Sequence, residues 1–347
     1  MRIERIEAVQ PDTPGSPADW RTQLGQIVVR VVTDDGLEGI GVGSGGAAGI
    51  HVVESVLKDL LVGSELGHPA ELHRQMCRHT AFYGRKGVVV MAISGVDLAL
   101  WDLLGKQQGL PVARLLNPDV DLERALPTYA TVWNEDQAAD QIERGVAAVK
   151  LHVERFGSPP DVQGIQALVE RTREALGVGK DIMMDAFGSW DVESTLAVAR
   201  AIEPLGVEWI EEPVQPDDAV SYRALMQQSP VPIAGGEHEY LAEGFRWIVD
   251  QGLHAVLQPD INWCGGMTTM IEIYRLAAEA GIRVCPHRGS EPYAIHAIAA
   301  LDPRPLAEAP RDWFGCLQGA SPVANGSVTV PDRPGFGVTV DSNLWDG

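Results

Sequence analysis

The sequence predicts an α/β protein in which a (β/α)-barrel follows a smaller α+β unit. Three observations carry that prediction. Between Ile182 and His287, five short apolar runs end on or beside an acid or an imidazole: IMMDA, VEWIEE, VPIAGGE, HAVLQPD and IRVCPH. The residues at those ends, Asp185, Glu211, Glu237, Asp260 and His287, fall 26, 26, 23 and 27 residues apart, the length of one strand, one loop and one crossover helix. Residues 1–126 lack this rhythm and mix strand-like runs with helical stretches.

A chain of 347 residues with 45% hydrophobic and 22% charged residues can bury a large core. Its formal net charge of −21 argues against nucleic acid or an anionic membrane as partner, since both demand basic surface. The same field repels an acidic substrate, so attraction must come from local cations. Cys77, Cys264, Cys285 and Cys316 show no CxxC spacing and read as reduced thiols of a cytoplasmic protein. MRIERIEAVQ reads as a strand that begins at once, without a signal peptide. No apolar run is read as reaching the ~18 residues that span a bilayer.

In the amino-terminal unit, IERIEAV and GQIVVRVVTDD flank a polar loop, and Asp35-Gly36 turns the second strand into LEGIGVG. Helices are expected near His51–Leu61, Ala70–Cys77 and Val88–Lys106, the last ended by Gly109-Leu110-Pro111. Two loops, Asp12–Trp20 and Phe82–Gly87, combine aromatic or charged residues with Gly or Pro, as a lid or as plain surface connections. Trp20, Phe82, Tyr83 and Arg85 are therefore candidate substrate contacts.

PTYATVW reads as the first barrel strand and AAVKLHV as the second. Lys150 and His152 are two apart and face the same way. Lys150 brings a positive charge to the mouth, and its ammonium is expected to keep His152 neutral near pH 7. Strand three delivers Asp185. At strand four, alternation admits one of Glu211 and Glu212, and the spacing favours Glu211, leaving Glu212 for a supporting or structural bond. Strand five delivers Glu237 after two glycines, with His238 and Glu239 expected at the rim or capping the next helix. Three carboxylates from neighbouring strand ends make an all-oxygen cage suited to Mg²⁺, one ion per subunit. Asp260 and His287, on the next two strands, can form a dyad in which the carboxylate fixes the imidazole tautomer. Asn262 and Arg288 are read as polar mouth residues, and PLAEA places Glu308 there as well.

The helix SGVDLALWDLLGKQQGLPV, the strand-two lysine, MMDAFGSWD, WIEEP, GGEHE, LQPDINWCGG and PHRGS together resemble the enolase superfamily and, within it, the mandelate racemase subgroup. The run from GGEHE to WCGG is most similar to the rhamnonate dehydratase-like members. The resemblance implies a modified (β/α)₇β TIM barrel over residues 127–319. Above it would sit an α+β cap of residues 1–126, completed by a tail from about 320 to 347. It matches Asp185, Glu211 and Glu237 to Mg²⁺ ligands, Asp260–His287 to the dyad and Glu308 to an oxyanion contact, and it implies a homo-oligomer, from dimer to octamer. One position departs: many members carry Lys-x-Lys on strand two, where this chain has Lys150-Leu151-His152.

The chemistry implied is removal of the proton beside a carboxylate. A sugar-acid dehydratase is the leading expectation, with His287 taking the proton and His287 or His152 protonating the departing hydroxyl. An isomerase (racemase, epimerase or lactone cycloisomerase) using His152 and His287 from opposite sides is the second.

Overall fold

Alternating glycines decide how the first sheet meets its helix. The structure, a computed structural model, describes residues 1–12, 20–177, 179–309 and 315–345, and the side chains of Trp20 and Arg21 also lie outside the description. Strands β1 (Ile3–Val9), β2 (Gln26–Thr33) and β3 (Glu38–Ser44) form an antiparallel sheet. Five helices accompany it: α1 (Trp20–Gln23), α2 (Gly46–Val52), α3 (Lys58–Leu61), α4 (Pro69–Thr80) and α5 (Val88–Gln108), with a π-turn at Val53–Leu57 between α2 and α3. A Cβ at Gly39, Gly41 or Gly43 would strike the carbonyl oxygens of Ala99, Gly95 and Met91. Strand β3 therefore rests backbone against backbone on α5, an approach that only glycine permits.

Helix α5 revises one expectation. By length and composition it could cross a bilayer, yet 78% of its apolar stretch is buried against the rest of the chain. It is a core helix, and its two acids are staples. Asp97 accepts from the Thr268 amide at 2.9 Å and its hydroxyl at 2.6 Å. Asp102 accepts from the amides of Ile40 and Phe336 at 2.9 and 2.8 Å and pairs with Lys106. Burial pushes Asp97 up to about 7 against the pull of its Thr268 bonds.

After α6 (Val112–Leu116), eight parallel strands follow: β4 (Leu126–Val132), β5 (Ala148–His152), β6 (Asp181–Asp185), β7 (Val207–Glu211), β8 (Ile233–Gly235), β9 (Val256–Leu257), β10 (Arg283–Val284) and β11 (Ala307–Glu308). Between them run α7 (Glu135–Glu143), α8 (Val162–Leu176), α9 (Val192–Ile202), α10 (Ala219–Gln228), α11 (Leu241–Gln251), α12 (Gly266–Ala280) and α13 (Ala294–Leu301). Consecutive strands pair from β4 to β10, and β11 returns to pair with β4, the connection barrel closure requires. Between β10 and β11, Cys285 Sγ lies 3.6 Å from the Leu306 carbonyl.

Several polar side chains prove to be caps. Asn134, Asp161, Asp191 and Asp218 accept a backbone N–H of the helix that follows each, which stabilises those starts by about 1 kcal/mol apiece. The tail adds β12 (Leu317–Gln318), β13 (Ser327–Val328) and β14 (Thr339–Val340). β13 pairs with β4, and Gly335 bonds the backbone of Leu110 and Val112.

Candidate active site

One interior layer generates the site above it. Tyr129, Ala148, Met183, Trp209, Ala234, Val256, Cys285 and Leu306, one from each strand or its edge, pack together inside the barrel. Side chains on a strand alternate, so the residue two further on faces the same way. That step leads from Tyr129 to Thr131, from Ala148 to Lys150, from Met183 to Asp185 and from Trp209 to Glu211. It leads likewise from Val256 to Gln258, from Cys285 to His287 and from Leu306 to Glu308. On β8 the same step reaches Gly236, whose φ of 117° turns the chain so that Glu237 enters instead.

These groups converge. Lys150, fully buried, places Nζ 2.8 Å from Glu211, 3.4 Å from Asp185 and 3.6 Å from Glu308. Gln258 donates to the other oxygen of Glu211 at 2.7 Å, and Thr131 donates to Glu308 at 2.6 Å. Burial opposes charge on Lys150, but the surrounding carboxylates hold its pKa well above the usual lysine value. Burial, together with the charges of Asp185, Glu237 and Glu308, pushes Glu211 up to about 8 even with Lys150 beside it. Burial would also raise Glu237, but His287 and His238 keep it below the usual value.

At strand four the one-inward alternation fails, although Glu212 does make the supporting bond expected of it. β7 ends at Glu211, and Glu212 takes φ 38°, which breaks the alternation. Both side chains are buried, and Glu212 reaches the mouth as well. Its Oε2 lies 2.9 Å from His238 Nδ1, and Glu212, Glu237 and His238 offer ligand atoms within 4.8 Å of one another. Hydrogen bonding to Glu212 and the field of Glu237 outweigh burial and raise His238 to about 10. A protonated imidazole cannot ligate. Without a metal, Glu212 and Glu237 favour the protonated form of His238; a divalent ion would displace that proton, so the cluster of Glu212, Glu237 and His238 could itself hold one. Glu239, its neighbour, takes Lys86 at 3.1 Å and the Tyr240 amide at 2.8 Å.

His287 Nδ1 sits 2.8 Å from Asp260 Oδ2, and its Nε2 lies 3.4 Å from Glu237 and 4.0 Å from Glu308. Arg288 places Nε and a terminal nitrogen on the same Asp260 oxygen, at 3.0 and 2.8 Å, and the Asn262 amide donates to the other at 2.8 Å. Arg288 and His287 overcome burial to hold Asp260 below the usual carboxylate range. Arg288 is buried, with its guanidinium on Asp260, and Asn262 is buried with no partner for Oδ1. Glu291, which the sequence reading missed, is buried 3.7 Å from Arg288 with neither oxygen hydrogen-bonded.

Across the mouth, His152 Nδ1 lies 3.0 Å from Glu154 and Nε2 lies 3.3 Å from Asp185. The expected downward pull of Lys150 on His152 is outweighed here. Burial and Lys150 oppose charge, but the Glu154 hydrogen bond and Asp185 prevail and raise its pKa. Trp133 stacks on this ring at 5.4 Å and 14°, Phe187 approaches it at 6.3 Å, and Trp263 lies 5.6 Å from His287. No sequence pattern pointed to these aromatic residues or to Glu154, whereas the two-residue step would have found Thr131 and Gln258.

The loop candidates separate. Phe82 and Tyr83 are 91% and 96% exposed, so they touch nothing at the site. Arg85 is also exposed, while Lys86 ties their loop to Asp217 at 2.9 Å and to Glu239. The Trp20 side chain lies outside the described residues.

An acid-lined mouth at the carboxyl ends of parallel barrel strands, with an α+β unit packed alongside, defines an enolase-type enzyme. Residues 134–344 match the description "Enolase C-terminal domain-like" and residues 18–117 match "Mandelate racemase / muconate lactonizing enzyme, N-terminal domain". The chain belongs to this mandelate racemase/muconate lactonizing enzyme family of the enolase superfamily. It is 36% identical to an L-rhamnonate dehydratase of Saccharopolyspora erythraea, covering 92% of this chain and 84% of that one. The crystal structure of a 3,6-anhydro-D-galactonate cycloisomerase from Zobellia galactanivorans is similar with a TM-score of 0.87 at 30% identity, covering 99% of this chain and 98% of that one. A rhamnonate dehydratase from Gibberella zeae complexed with Mg is similar with a TM-score of 0.84 at 29% identity, covering 99% and 95%.

Proposed function

We propose that this chain is a Mg²⁺-dependent hydro-lyase that converts a sugar acid to a 2-keto-3-deoxy acid, with L-rhamnonate as the first substrate to test. The observation that carries the reading is the Asp260–His287 pair, whose Nε2 faces Glu237 at 3.4 Å within a cluster of carboxylates and one buried lysine. Such a base has a use beside an acidic substrate only if the charge it creates is stabilised.

The donor set fits a hard divalent cation. Asp185, Glu211 and Glu237 offer only oxygens, from three adjacent strands. Glu211, Asp185 and Glu308 all lie within 3.6 Å of the single Lys150 ammonium, so the cluster carries more acids than that cation offsets. These three residues would hold Mg²⁺, which supplies Lewis-acid stabilisation of the substrate carboxylate when bound.

The remaining work falls to the chain itself. Asp260, pinned by Arg288 and the Asn262 amide, orients His287 with Nε2 toward the substrate. His287 takes the α-proton. Lys150 offsets the negative charge that develops on the carboxylate, and Glu308 lies between Lys150 and His287 Nε2. Release of the β-hydroxyl as water completes the elimination, and the enol product ketonises. A screen of L-rhamnonate and other aldonic and aldaric acids for 2-keto acid formation tests this. Turnover of at least one acid is expected, and no 2-keto product across the set would end the reading.

A second reading is an isomerase. His152 and His287 both turn Nε2 toward the carboxylates from opposite walls, as a two-sided proton transfer requires, and the likeness to the cycloisomerase supports it. Exchange of the α-hydrogen with solvent deuterium without loss of water would favour this alternative.

A further inference from the structure

We propose that Glu154 and Trp133 are positioning residues that make His152 the acid acting opposite His287. The inference rests on the dehydratase reading and adds to it which residues deliver the second proton. His152 ends β5, and the 3₁₀ turn Glu154–Phe156 begins two residues later. That turn swings the Glu154 carboxylate back onto Nδ1 at 3.0 Å. Trp133, just past the end of β4, lies nearly parallel to the ring at 5.4 Å and 14°. One edge and one face of the imidazole are thereby fixed.

The free edge is the informative one. His152 Nε2 is buried and makes no hydrogen bond, although it lies 3.3 Å from Asp185. The arrangement repeats that of His287, whose Nδ1 is held by Asp260 while Nε2 faces Glu237. Two imidazoles, each held by a carboxylate at Nδ1, thus aim Nε2 at one cluster of acids from strands β5 and β10, at the two ends of the run β5-β6-β7-β8-β9-β10. In the elimination, the α C–H pair becomes the new C=C bond as His287 takes the proton. The β C–O bond breaks, and the oxygen leaves as water with the Nε2 proton of His152. Imidazole 152 then keeps its remaining proton on Nδ1 against Glu154, and the two rings are reset by proton exchange with solvent.

The test is to run the wild-type protein, Glu154→Gln, Trp133→Leu and Trp133→Phe with Mg²⁺ and L-rhamnonate in D₂O. Both 2-keto acid and α-deuterium in recovered substrate are measured. In Glu154→Gln and Trp133→Leu, product formation falls about 10–100-fold, as for other residues that orient a catalytic imidazole. Deuteration by His287 persists, so the ratio of exchange to elimination rises at least about tenfold; Trp133→Phe keeps the stack and restores most turnover. Equal loss of both signals, or no change in either, overturns the proposal. Exchange by wild-type protein without any water loss sinks the dehydratase reading instead. In that case Glu154→Gln should lose exchange from one epimer only, and loss from both or from neither overturns the positioning role.

Discussion

Lys150 Nζ lies 2.8 Å from Glu211 Oε1, with both side chains shut off from solvent. An ion pair of this kind is a poor source of net stability, but losing one partner strands the other in a medium that cannot solvate it. Asp185 and Glu308 stand within 4 Å of the same ammonium, so here one cation serves three acids.

Lys150→Met should therefore lower the stability of metal-free protein by about 3–5 kcal/mol. Activity should fall by at least about 100-fold. Chemical denaturation and steady-state kinetics check the two effects separately. Unchanged stability would mean that the acids are compensated by something other than this lysine.

Divalent metal should raise the melting temperature in a saturable way. At 100 times its dissociation constant, a ligand of the folded state adds about 2.7 kcal/mol. Asp185→Asn, Glu211→Gln and Glu237→Gln should each abolish the shift, whereas His238→Gln should keep it where the three carboxylates alone hold the ion and lose it where His238 is a ligand as well. A shift that survives all three carboxylate changes would place the ion elsewhere.

Asp97 should make stability depend on pH. Burial raises it to about 7 in the folded protein from 3.8, so between those values the folded state holds a proton that the unfolded state has released. Stability tied to that proton is complete below about pH 4 and is lost as pH rises toward 7, a few kcal/mol over the window. Asp97→Asn keeps an oxygen for Thr268 and removes the titration. Urea unfolding at pH 5 and pH 7.5 should show a smaller drop for the variant than for the parent, and equal drops would contradict the assignment.

Gly41→Ala should destabilise by about 1–3 kcal/mol, because the new methyl meets the Gly95 carbonyl of α5. Gly36→Ala is the informative control. Nothing lies near its would-be Cβ, and only its φ of 85° opposes the change, at about 1 kcal/mol. Thermal melts of the two variants should rank accordingly.

Much of the barrel was legible because its signal is repeated. An acid or imidazole every 23 to 27 residues is hard to produce except by strand, helix and return. The alternation rule then put Lys150 and His152 on one face, and the Ala148–Lys150–His152 side of β5 does face the carboxylates. The rule failed where the strand had already ended. Glu212 lies one residue past β7 in a left-handed conformation, so parity no longer governed it. The direction of the shift at His152 was misjudged for a similar reason: Lys150 was visible two residues away, but the Glu154 contact depends on a 3₁₀ turn that no periodicity announces. Arg288, also at positive φ (53°), bends back onto Asp260 where a strand reading would have sent it outward.

The grip of α5 on the loop before α12 has a consequence for how substrates get in. Ser94 holds the Gly265 amide at 2.8 Å, Asp97 holds Thr268, and Ser44 of β3 holds Trp263 Nε1 at 3.0 Å. Those anchors join the amino-terminal unit to the wall that carries Asp260, so a hinged lifting of that unit would strain the base's own support. A fixed frame of this kind leaves the loops at its rim as the part that can change the choice of guest without disturbing the base.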